Sequence, residues 1–388
     1  MINVSRLYCG IKGQGDHLRY KLSNSANKIK KPVIVWNMTK QCNLLCAHCY
    51  ADATLNKNVN DELTTEEGKK LIDSLAEFKV PVLLFSGGEP LIRKDIFELI
   101  EYTIASGIKP TISTNGTLID KKCAEKFKKL GVTYVGISLD GIPETHNKLR
   151  GVNNSFESAV AGIRACVDAG VRVGLRYTMH KNNYKDLPFI FDLMEKEQIP
   201  RICFYHLVCS GRGKSIKNEE LSVENKRSLM NMIMDKAKYF SDKGLKKEIL
   251  TVANHCDAPF LYLRMLNEDK RKAEEAMSLI NINRGASSGL GIGAVNWNGD
   301  VYPDQFWRDK KLGNIKENSF EEIWTNPDNV FLDKLRNKKQ HIKGRCSKCK
   351  FIDICEGNFR ARAEALTGDM WASDPGCYLT DKEISNAE

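Results

Sequence analysis

Short apolar runs rich in β-branched residues alternate with segments of helical periodicity in the first half of the chain. Each run has the length and composition of a buried strand. The runs cover residues 32–38, 81–86, 110–114, 134–139, 171–178 and 201–207. Between them, apolar residues recur on one face of a helix. This alternation predicts a parallel sheet with right-handed crossover helices.

Two of the intervening segments also have recognisable helix ends. Thr64 and Glu67 have the spacing of a capping box, just before a periodic apolar segment. The segment 155–169 is followed by Gly170, a typical residue at a helix end. Both segments are therefore predicted to be crossover helices.

Six strand–helix units predict an α/β fold whose sheet curls into a partial (β/α)6 TIM-like barrel. The length of 388 residues exceeds the usual range of one domain, so we expect a smaller second domain. The expected divisions are an extension over residues 1–30, the barrel over 31–235, and a linker with the smaller domain over 236–388. Functional residues are expected at the carboxyl ends of the strands.

The loop after the first predicted strand contains three closely spaced cysteines. Cys42, Cys46 and Cys49 follow the pattern CxxxCxxC. Three thiolates with a vacant fourth position suit a four-iron cluster whose remaining iron holds an exchangeable ligand. A structural zinc site is an alternative, but His48 directly precedes Cys49 and is poorly placed to complete the same tetrahedron. Buried thiols without a metal are a further alternative.

The next predicted strands also lead into polar or glycine-rich tips. The second runs into SGGEPL, in which Gly87 and Gly88 permit close backbone approach. The third runs into TNG at residues 114–116, and the fourth into SLDG at residues 138–141. These tips are expected on the same rim as the three cysteines.

Cysteine content and net charge indicate which classes of protein and partner to expect. Seven of the thirteen cysteines fall in two clusters, and no apolar run resembles a signal or a membrane span. Both observations favour a cytoplasmic protein that binds metals through thiolates. The formal charge of +10 is spread over mixed-charge segments, with no long basic run and no aromatic-basic array. We therefore expect no nucleic-acid partner, while an acidic substrate stays open.

The motif CxxxCxxC followed by GGEP, each after its own strand, resembles the radical S-adenosylmethionine (SAM) superfamily. The resemblance implies that an open iron of a [4Fe–4S] cluster binds SAM. Reductive cleavage of SAM then yields methionine and a 5′-deoxyadenosyl radical that abstracts hydrogen from an unactivated carbon. It also implies a small electron donor such as ferredoxin or flavodoxin. A zinc-dependent binding protein stays a remote alternative.

The same resemblance implies that four consecutive residues hold the amino end of SAM: Gly87, Gly88, Glu89 and Pro90. Glu89 would accept hydrogen bonds from the ammonium group. Ser113 and Asn115, at the third strand tip, would face the ribose and the carboxylate. Contacts to SAM or to the substrate are thus expected at successive strand tips.

Three further residues are expected near SAM or the substrate. Ser138 and Asp140 follow the fourth strand, although Asp140 also suits a turn before a glycine. Arg150 is a candidate clamp for a carboxylate, because a guanidinium can bind one through two hydrogen bonds. Its alternative is a solvated surface arginine.

A second group of cysteines lies near the carboxyl end: Cys346, Cys349, Cys355 and Cys377. The spacing is CxxCx5C, followed by a fourth cysteine 22 positions later. Four thiolates without a vacancy would coordinate a [4Fe–4S] cluster completely or bind a structural zinc ion. Spacing alone leaves both possibilities open.

This region resembles the SPASM extension, or its shorter Twitch form, which carries auxiliary iron–sulfur clusters in radical SAM enzymes. The segment WNGDVYPDQFW is similar to the hairpin of that extension. Phe359 and Asp304 stand where the full pattern has cysteines for a second auxiliary cluster. The resemblance therefore implies two [4Fe–4S] clusters in total, one that binds SAM and one auxiliary. An alternative is that Asp304 itself serves as an iron ligand.

Several longer phrases resemble the radical SAM enzymes of modified-tetrapyrrole synthesis, among them YVGISLDG, FYHLVCSGRG and GNFRARAEALTGDMWASDPGCYLTD. The resemblance implies an acidic tetrapyrrole substrate, 12,18-didecarboxysiroheme. Its two acetate side chains would be removed to give iron-coproporphyrin III. Alternatives are the haem d1 branch, which removes propionate groups from the same precursor, and peptide-modifying SPASM enzymes. About thirty residues before the first strand are too few for the leader-peptide domain of many peptide-modifying enzymes.

No catalytic residue is assigned from the sequence, but two are candidates. Cys9 lies between glycines and tyrosine ahead of the barrel, and His206 lies near the sixth strand tip. The remaining cysteines have no ligand spacing: Cys123, Cys166, Cys203, Cys209 and Cys256. Of these, Cys123, Cys166 and Cys203 are expected in the core. Candidate axial ligands for a substrate iron are His17, His180, His206 and His255.

Overall fold

The computed structural model describes residues 1–20, 31–56 and 61–385. Within these ranges, eleven strands form one sheet in the order β1-β8-β7-β6-β5-β4-β3-β2-β9-β10-β11. The strands are β1 (Ile2–Asn3), β2 (Val33–Asn37), β3 (Val82–Ser86), β4 (Lys109–Thr114), β5 (Tyr134–Ser138), β6 (Val173–Met179), β7 (Arg201–His206), β8 (Glu248–Val252), β9 (Ile292–Val295), β10 (Asp300–Tyr302) and β11 (Gly313–Asn314).

The centre of the sheet is parallel, with β2 to β8 side by side in chain order. The six predicted strands are confirmed as β2 to β7. β8 was not among the predicted strands. It continues the sheet beyond residue 235, so the domain limit at that residue stays a prediction. Because β1 and β11 stand at opposite ends of the strand order, the sheet is open. The prediction of a partial barrel is confirmed.

Helices follow the parallel strands and surround the sheet. The α-helices are α1 (Val4–Cys9), α2 (Asp16–Arg19), α3 (Thr65–Glu77), α4 (Ile96–Ala105), α5 (Lys121–Leu130), α6 (Pro143–Arg150), α7 (Ser155–Asp168), α8 (Leu187–Lys196), α9 (Val223–Asp242), α10 (Asp257–Glu268), α11 (Lys270–Ile282), α12 (Phe320–Thr325), α13 (Val330–Arg336), α14 (Ile352–Cys355), α15 (Arg360–Thr367) and α16 (Asp381–Ile384). Short 3-10 helices occur at Pro90–Ile92, Tyr184–Asp186, Gly211–Glu219, Lys338–His341 and Gly344–Lys348.

Local sequence explains where α3 begins and which face it buries. The predicted capping box is confirmed: the backbone N–H of Glu67 donates to Thr64 Oγ1 at 3.2 Å, and the Glu67 carboxylate accepts from the Thr64 N–H at 2.8 Å. Leu71 and Leu75, one helical turn apart, are fully buried. Replacing such an N-cap by alanine costs about 1 kcal/mol. The helix is therefore fixed at its start and along its buried face.

The carboxyl-terminal region joins the barrel through the sheet itself. β9 pairs in parallel with β2, and β9 and β10 form an antiparallel hairpin, as predicted from WNGDVYPDQFW. Helices α12 to α16 follow this hairpin. No helix in the described ranges combines the length and the apolar character that crossing a membrane requires.

Candidate active site and auxiliary cysteine pocket

A cavity lies at the carboxyl ends of strands β2 to β7, where the sequence predicted the site. The lining residues that belong to these strand ends and the loops after them are Cys42, Cys46, Cys49, Gly87, Gly88, Ser113, Asn115, Ser138, Arg150, Arg176, Thr178, Tyr205 and His206. Its volume is about 140 Å³, less than the roughly 300 Å³ at which ligand pockets begin. Side chains from the loop after β10 also line the cavity. The ring of Phe306, 5.4 Å from that of Tyr50, belongs to this part of the wall.

The three cysteines of the first loop have their sulfur atoms supported by N–H groups. Cys42 Sγ and Cys49 Sγ each accept from a backbone N–H at 3.4 Å, and Cys46 Sγ accepts from Arg150 Nη1 at 3.5 Å. Burial raises the pKa of the Cys42 thiol to about 12. A bound metal would offset this burial by stabilising the thiolate directly. The donor set and its polar support fit an iron–sulfur cluster.

Two glycines bring the tip of β3 into contact with the cysteine loop. The N–H of Gly88 donates to the Thr39 carbonyl at 2.7 Å. A Cβ atom on Gly88 would lie 1.9 Å from the carbonyl oxygen of Gln41. Gly87 has a φ of +130°, which side-chain-bearing residues rarely adopt. Both positions therefore require glycine, and they fix the cysteine loop against the sheet.

Glu89 lies behind the cavity wall, and neither it nor Pro90 is among the described residues that line the cavity. Its carboxylate accepts from Thr114 Oγ1 and from the Asn115 N–H, both at 2.8 Å, and from the Leu91 N–H at 3.1 Å. Burial raises the pKa of Glu89 to about 7, although these hydrogen bonds oppose the rise. Glu89 therefore ties the tip of β3 to that of β4, and its contact with a SAM ammonium group stays a prediction.

The tip of β4 also contacts the cysteine loop. Asn115 Nδ2 donates to Asn43 Oδ1 at 2.8 Å and lies 3.9 Å from Cys42 Sγ. Ser113 and Ser138 line the cavity on neighbouring strands. The structure thus brings together the polar tips that the sequence assigned to one rim.

Asp140 and Arg150 form a buried ion pair beside the cysteine loop. Arg150 Nη2 donates to Asp140 Oδ2, and His48 Nε2 lies 3.3 Å from the same oxygen. Burial opposes ionisation of Asp140, but the charge of Arg150 holds its pKa well below the usual range. Because Arg150 is only 7% exposed, the alternative of a solvated surface arginine is wrong. Its guanidinium bridges Asp140 and Cys46 Sγ.

His206 is the predicted histidine that reaches the cavity. Its Nε2 lies 3.0 Å from Asp257 Oδ2, and its Nδ1 lies 3.3 Å from Asn254 Nδ2. Tyr378 donates its hydroxyl to the other oxygen of Asp257 at 2.6 Å, and its ring stacks on that of His206 with centroids 6.4 Å apart. A continuous set of contacts therefore runs from the cavity to the residue after Cys377.

The four carboxyl-terminal cysteines line a second, smaller pocket. Cys256, at the start of α10, lines it too. Spacing gave no signal for Cys256, because it is far from the others in sequence. The Cys256 thiol donates to Asn254 Oδ1 at 3.1 Å. Its interaction with Cys377 lowers the pKa of the Cys377 thiol to about 6, while burial raises the pKa of Cys256 well above its usual value. Arg345 Nη1 also donates to Cys377 Sγ at 3.4 Å.

The second pocket has a donor set suited to a cluster. In the described part of the chain, no three His, Cys, Asp or Glu side chains surround one point closely enough to hold a single metal ion. The cysteines instead line a pocket with hydrogen-bond donors at Cys349 Sγ and Cys377 Sγ. Sulfur ligands supported by N–H donors are what an iron–sulfur cluster requires.

Several other predicted residues lie away from the cavity. Cys9 lines a separate groove between α1, α9 and α11. Among the described residues that line the cavity, His17, His180 and His255 are absent. Asp304 is buried and accepts from Ser288 and from two backbone N–H groups of its own loop, so its side chain serves that turn.

Phe359 stands where the full SPASM pattern has a cysteine ligand. In this structure its side chain packs against other residues. Its ring contacts that of Phe306 edge-on, with centroids 5.6 Å apart. Its backbone N–H donates to Asp374 Oδ2 at 3.0 Å. Phe359 is therefore a packing residue between the cavity wall and the cysteine region.

Comparison with known proteins agrees with this architecture. Residues 36–194 match the radical SAM superfamily, and residues 290–350 match the SPASM iron–sulfur cluster-binding domain. The chain is 50% identical to Fe-coproporphyrin III synthase of Methanosarcina barkeri, with 100% of both chains covered. It is 38% identical to pre-heme d1 synthase of Dinoroseobacter shibae, over 92% of this chain and 88% of that protein.

Solved structures share the fold at lower sequence identity. SuiB of Streptococcus suis bound to S-adenosylmethionine has a TM-score of 0.71 and 19% identity, covering 91% of this chain and 79% of that one. Native anSMEcpe with bound AdoMet has a TM-score of 0.69 and 20% identity, covering 91% and 95%. At these identities the likeness concerns the fold.

The matched domains also define the cofactors. A radical SAM domain uses SAM with a [4Fe–4S] cluster, and the SPASM domain carries an auxiliary [4Fe–4S] cluster. The full-length relatives are enzymes of haem and haem d1 synthesis. The chain therefore belongs to the radical SAM enzymes of haem biosynthesis that carry a SPASM-type iron–sulfur domain.

Proposed function

We propose that this enzyme removes the two acetate side chains of 12,18-didecarboxysiroheme and thereby forms iron-coproporphyrin III. The observation that carries the proposal is the 50% identity to Fe-coproporphyrin III synthase across the full length of both chains. The cavity at the strand ends, with its three cysteines and its arginines, provides a site of suitable chemistry for an acidic substrate.

The proposal assigns Cys42, Cys46 and Cys49 to the cluster that binds SAM. Given one electron through this cluster, SAM bound there would supply methionine and the 5′-deoxyadenosyl radical needed to abstract hydrogen from the substrate. Gly87 and Gly88 line the cavity, so their backbone would bound the space for the methionyl group. Their contact with the cysteine loop would keep SAM and the cluster in a fixed relation.

Beyond the cysteine loop, Ser113, Asn115 and Ser138 would line the SAM site. Asp140 would act indirectly, by holding Arg150 against Cys46. The four cysteines Cys346, Cys349, Cys355 and Cys377 are assigned to the auxiliary cluster. Ferredoxin or flavodoxin is proposed as the electron donor.

His206 is proposed as a positioning residue in the substrate part of the cavity. An ionised Asp257 requires a proton on His206 Nε2, and the Asn254 amide then donates to Nδ1. Both nitrogens are thus engaged, so coordination of the substrate iron by His206 would first require release of Asn254. In its present orientation His206 would hold the wall rather than the iron.

The haem d1 branch is the second candidate function. It is favoured by 38% identity to pre-heme d1 synthase over most of both chains. Both reactions start from the same tetrapyrrole, but one removes acetate groups and the other propionate groups. Product mass therefore separates them directly.

The test identifies the reaction product under anaerobic conditions. The protein, reconstituted with iron and sulfide, is incubated with SAM, a reductant and 12,18-didecarboxysiroheme, and products are identified by mass spectrometry. We expect loss of both acetate side chains, one 5′-deoxyadenosine for each, and no reaction with Cys42→Ala. Loss of propionate mass would establish the haem d1 reaction. 5′-Deoxyadenosine without any change in the tetrapyrrole would refute both.

A further inference from the structure

Arg176 is a charged side chain in the cavity wall that has no charged partner. It lies on β6, and both it and Thr178 line the cavity. In the described part of the chain, its guanidinium takes part in no ion pair and donates no hydrogen bond. The contrast with the other cavity arginines is clear. Arg150 pairs with Asp140, and Arg212 lies 3.2 Å from Asp52.

The neighbouring strands hold Arg176 in place. A Cβ atom on Gly136 of β5 would lie 2.9 Å from Arg176 Cδ, so the stem of the arginine crosses β5 at a glycine. Its guanidinium carbon lies 4.8 Å from the ring centroid of Tyr205 on β7. The tyrosine face stabilises the cation without satisfying its hydrogen-bond donors. Arg176 is thus preorganised, with its donors still available to a ligand.

An arginine remains protonated in proteins, and removing its charge from water without a hydrogen-bonding anion is unfavourable. The chain nevertheless keeps Arg176 in a cavity wall away from its own carboxylates. A ligand carboxylate would supply the missing partner, since it can accept two parallel hydrogen bonds from a guanidinium.

We infer that Arg176 binds a side-chain carboxylate of the tetrapyrrole and so orients the macrocycle in the cavity. The inference builds on the proposed function, because it takes its ligand from that function. SAM is the competing source of a carboxylate. Arg150 is better placed for SAM, because it contacts Cys46 Sγ. Arg176 lies farther along the sheet, on the second strand beyond β4, where it is next to Tyr205.

The test measures binding without turnover. Holoenzyme lacking SAM is titrated anaerobically with 12,18-didecarboxysiroheme, and the change in its visible absorption gives the dissociation constant. We expect Arg176→Gln to weaken binding roughly 10- to 100-fold, as loss of a charge-assisted contact implies. Arg176→Lys should lose less, because it keeps the charge but not the paired hydrogen bonds.

Two controls distinguish loss of tetrapyrrole binding from misfolding of the variant and from the change in net charge. Arg164→Gln removes the same charge from an exposed pair with Glu197 and should leave tetrapyrrole binding unchanged. Iron content and SAM affinity should remain at the wild-type level in both Arg176 variants. The inference would be overturned if Arg176→Gln bound the tetrapyrrole as tightly as wild type. It would also be overturned if the variant lost affinity for SAM but not for the tetrapyrrole.

A second ligand identifies the carboxylate. Iron-coproporphyrin III keeps the propionate groups but lacks the acetates, so its affinity should fall with Arg176→Gln only if Arg176 binds a propionate. If only the substrate is affected, the partner is an acetate; both results support the inference. Should the wild-type protein bind and convert no tetrapyrrole, the proposed function itself fails. Normal conversion by wild type with unchanged binding by Arg176→Gln would refute Arg176 alone.

Discussion

His206 Nε2 lies 3.0 Å from Asp257 Oδ2, and this contact joins the wall of the cavity at the strand ends to the region of the second cysteine group. Asp257 follows Cys256 in the chain, and its other oxygen accepts from Tyr378, the neighbour of Cys377. One buried carboxylate therefore sets the position of a residue at each site. A change in structure around Cys377 would therefore shift the position of His206 through these two hydrogen bonds.

Asp257→Asn should destabilise the protein. An amide group offers one acceptor atom, so it can no longer accept from both His206 and Tyr378, and one buried donor is left without a partner. We expect a loss of about 1–3 kcal/mol in the free energy of unfolding, measured by anaerobic urea denaturation. Tyr378→Phe, which removes one hydroxyl, is the matched variant and should lose less. Equal stability of Asp257→Asn and wild type would contradict this role for Asp257.

Arg150→Gln should be more damaging than loss of a surface charge, because it leaves the ionised Asp140 buried without its main partner. Breaking a buried pair in this way costs about 3–5 kcal/mol. Adding Asp140→Asn should recover part of the loss, and a double-mutant cycle measures the coupling. Additive effects of the two substitutions would show that the pair is not coupled.

Arg150→Gln should also make the reduction potential of the SAM-binding cluster more negative. The variant removes a positive donor 3.5 Å from Cys46 Sγ, and such donors stabilise the reduced cluster. A redox titration followed by electron paramagnetic resonance gives the potential. Arg164→Gln, far from the cysteines, should leave it unchanged.

Gly88→Ala should prevent assembly of the first cluster, since the added methyl group would collide with the Gln41 carbonyl and displace the cysteine loop. Iron content should fall from roughly eight to four atoms per chain, because one of two four-iron clusters is lost. Gly107→Ala is the control: a Cβ there meets nothing within 4 Å, although its φ of +79° adds local strain. Full iron content in Gly88→Ala would show that the loop tolerates the displacement.

Cys256→Ala should keep the auxiliary cluster, whereas Cys377→Ala should lose it. Cys256 lines the same pocket as Cys377 and lowers the pKa of the Cys377 thiol, so without the Cys256 thiol the potential of the auxiliary cluster should become more negative. Cys256→Ser retains a donor and should behave more like wild type. If Cys256→Ala lost about four irons, Cys256 would be a ligand and not a supporting thiol.

The parts of the fold found from the sequence are those encoded locally. The six strands were recognisable because each is a short β-branched run between helical segments. β8 was missed since its five residues, Glu248–Val252, follow a lysine-rich stretch and include a charged residue. That residue, Glu248, is paired with Arg172, which lies just before β6, and the sequence pattern does not reveal this contact.

The cysteine loops were likewise identified by spacing, but their surroundings depend on tertiary contacts. Cys256 reaches the second pocket from a distant segment, so no spacing rule finds it. Glu89 was assigned to SAM from its motif, yet its carboxylate contacts the tip of β4. Arg176 did leave a signal, because it is the one charged residue of β6. Interpreting it required knowing which face of β6 lines the cavity.

The pairing of β9 with β2 has a consequence for engineering this enzyme. β2 lies inside the sheet only because β9 covers its free side. A truncation before residue 290 would expose a long row of unpaired backbone groups beside the cysteine loop, and such edges promote aggregation between chains. A hybrid that exchanges the carboxyl-terminal region with another enzyme must therefore import β9 together with its cysteines, or supply a substitute strand.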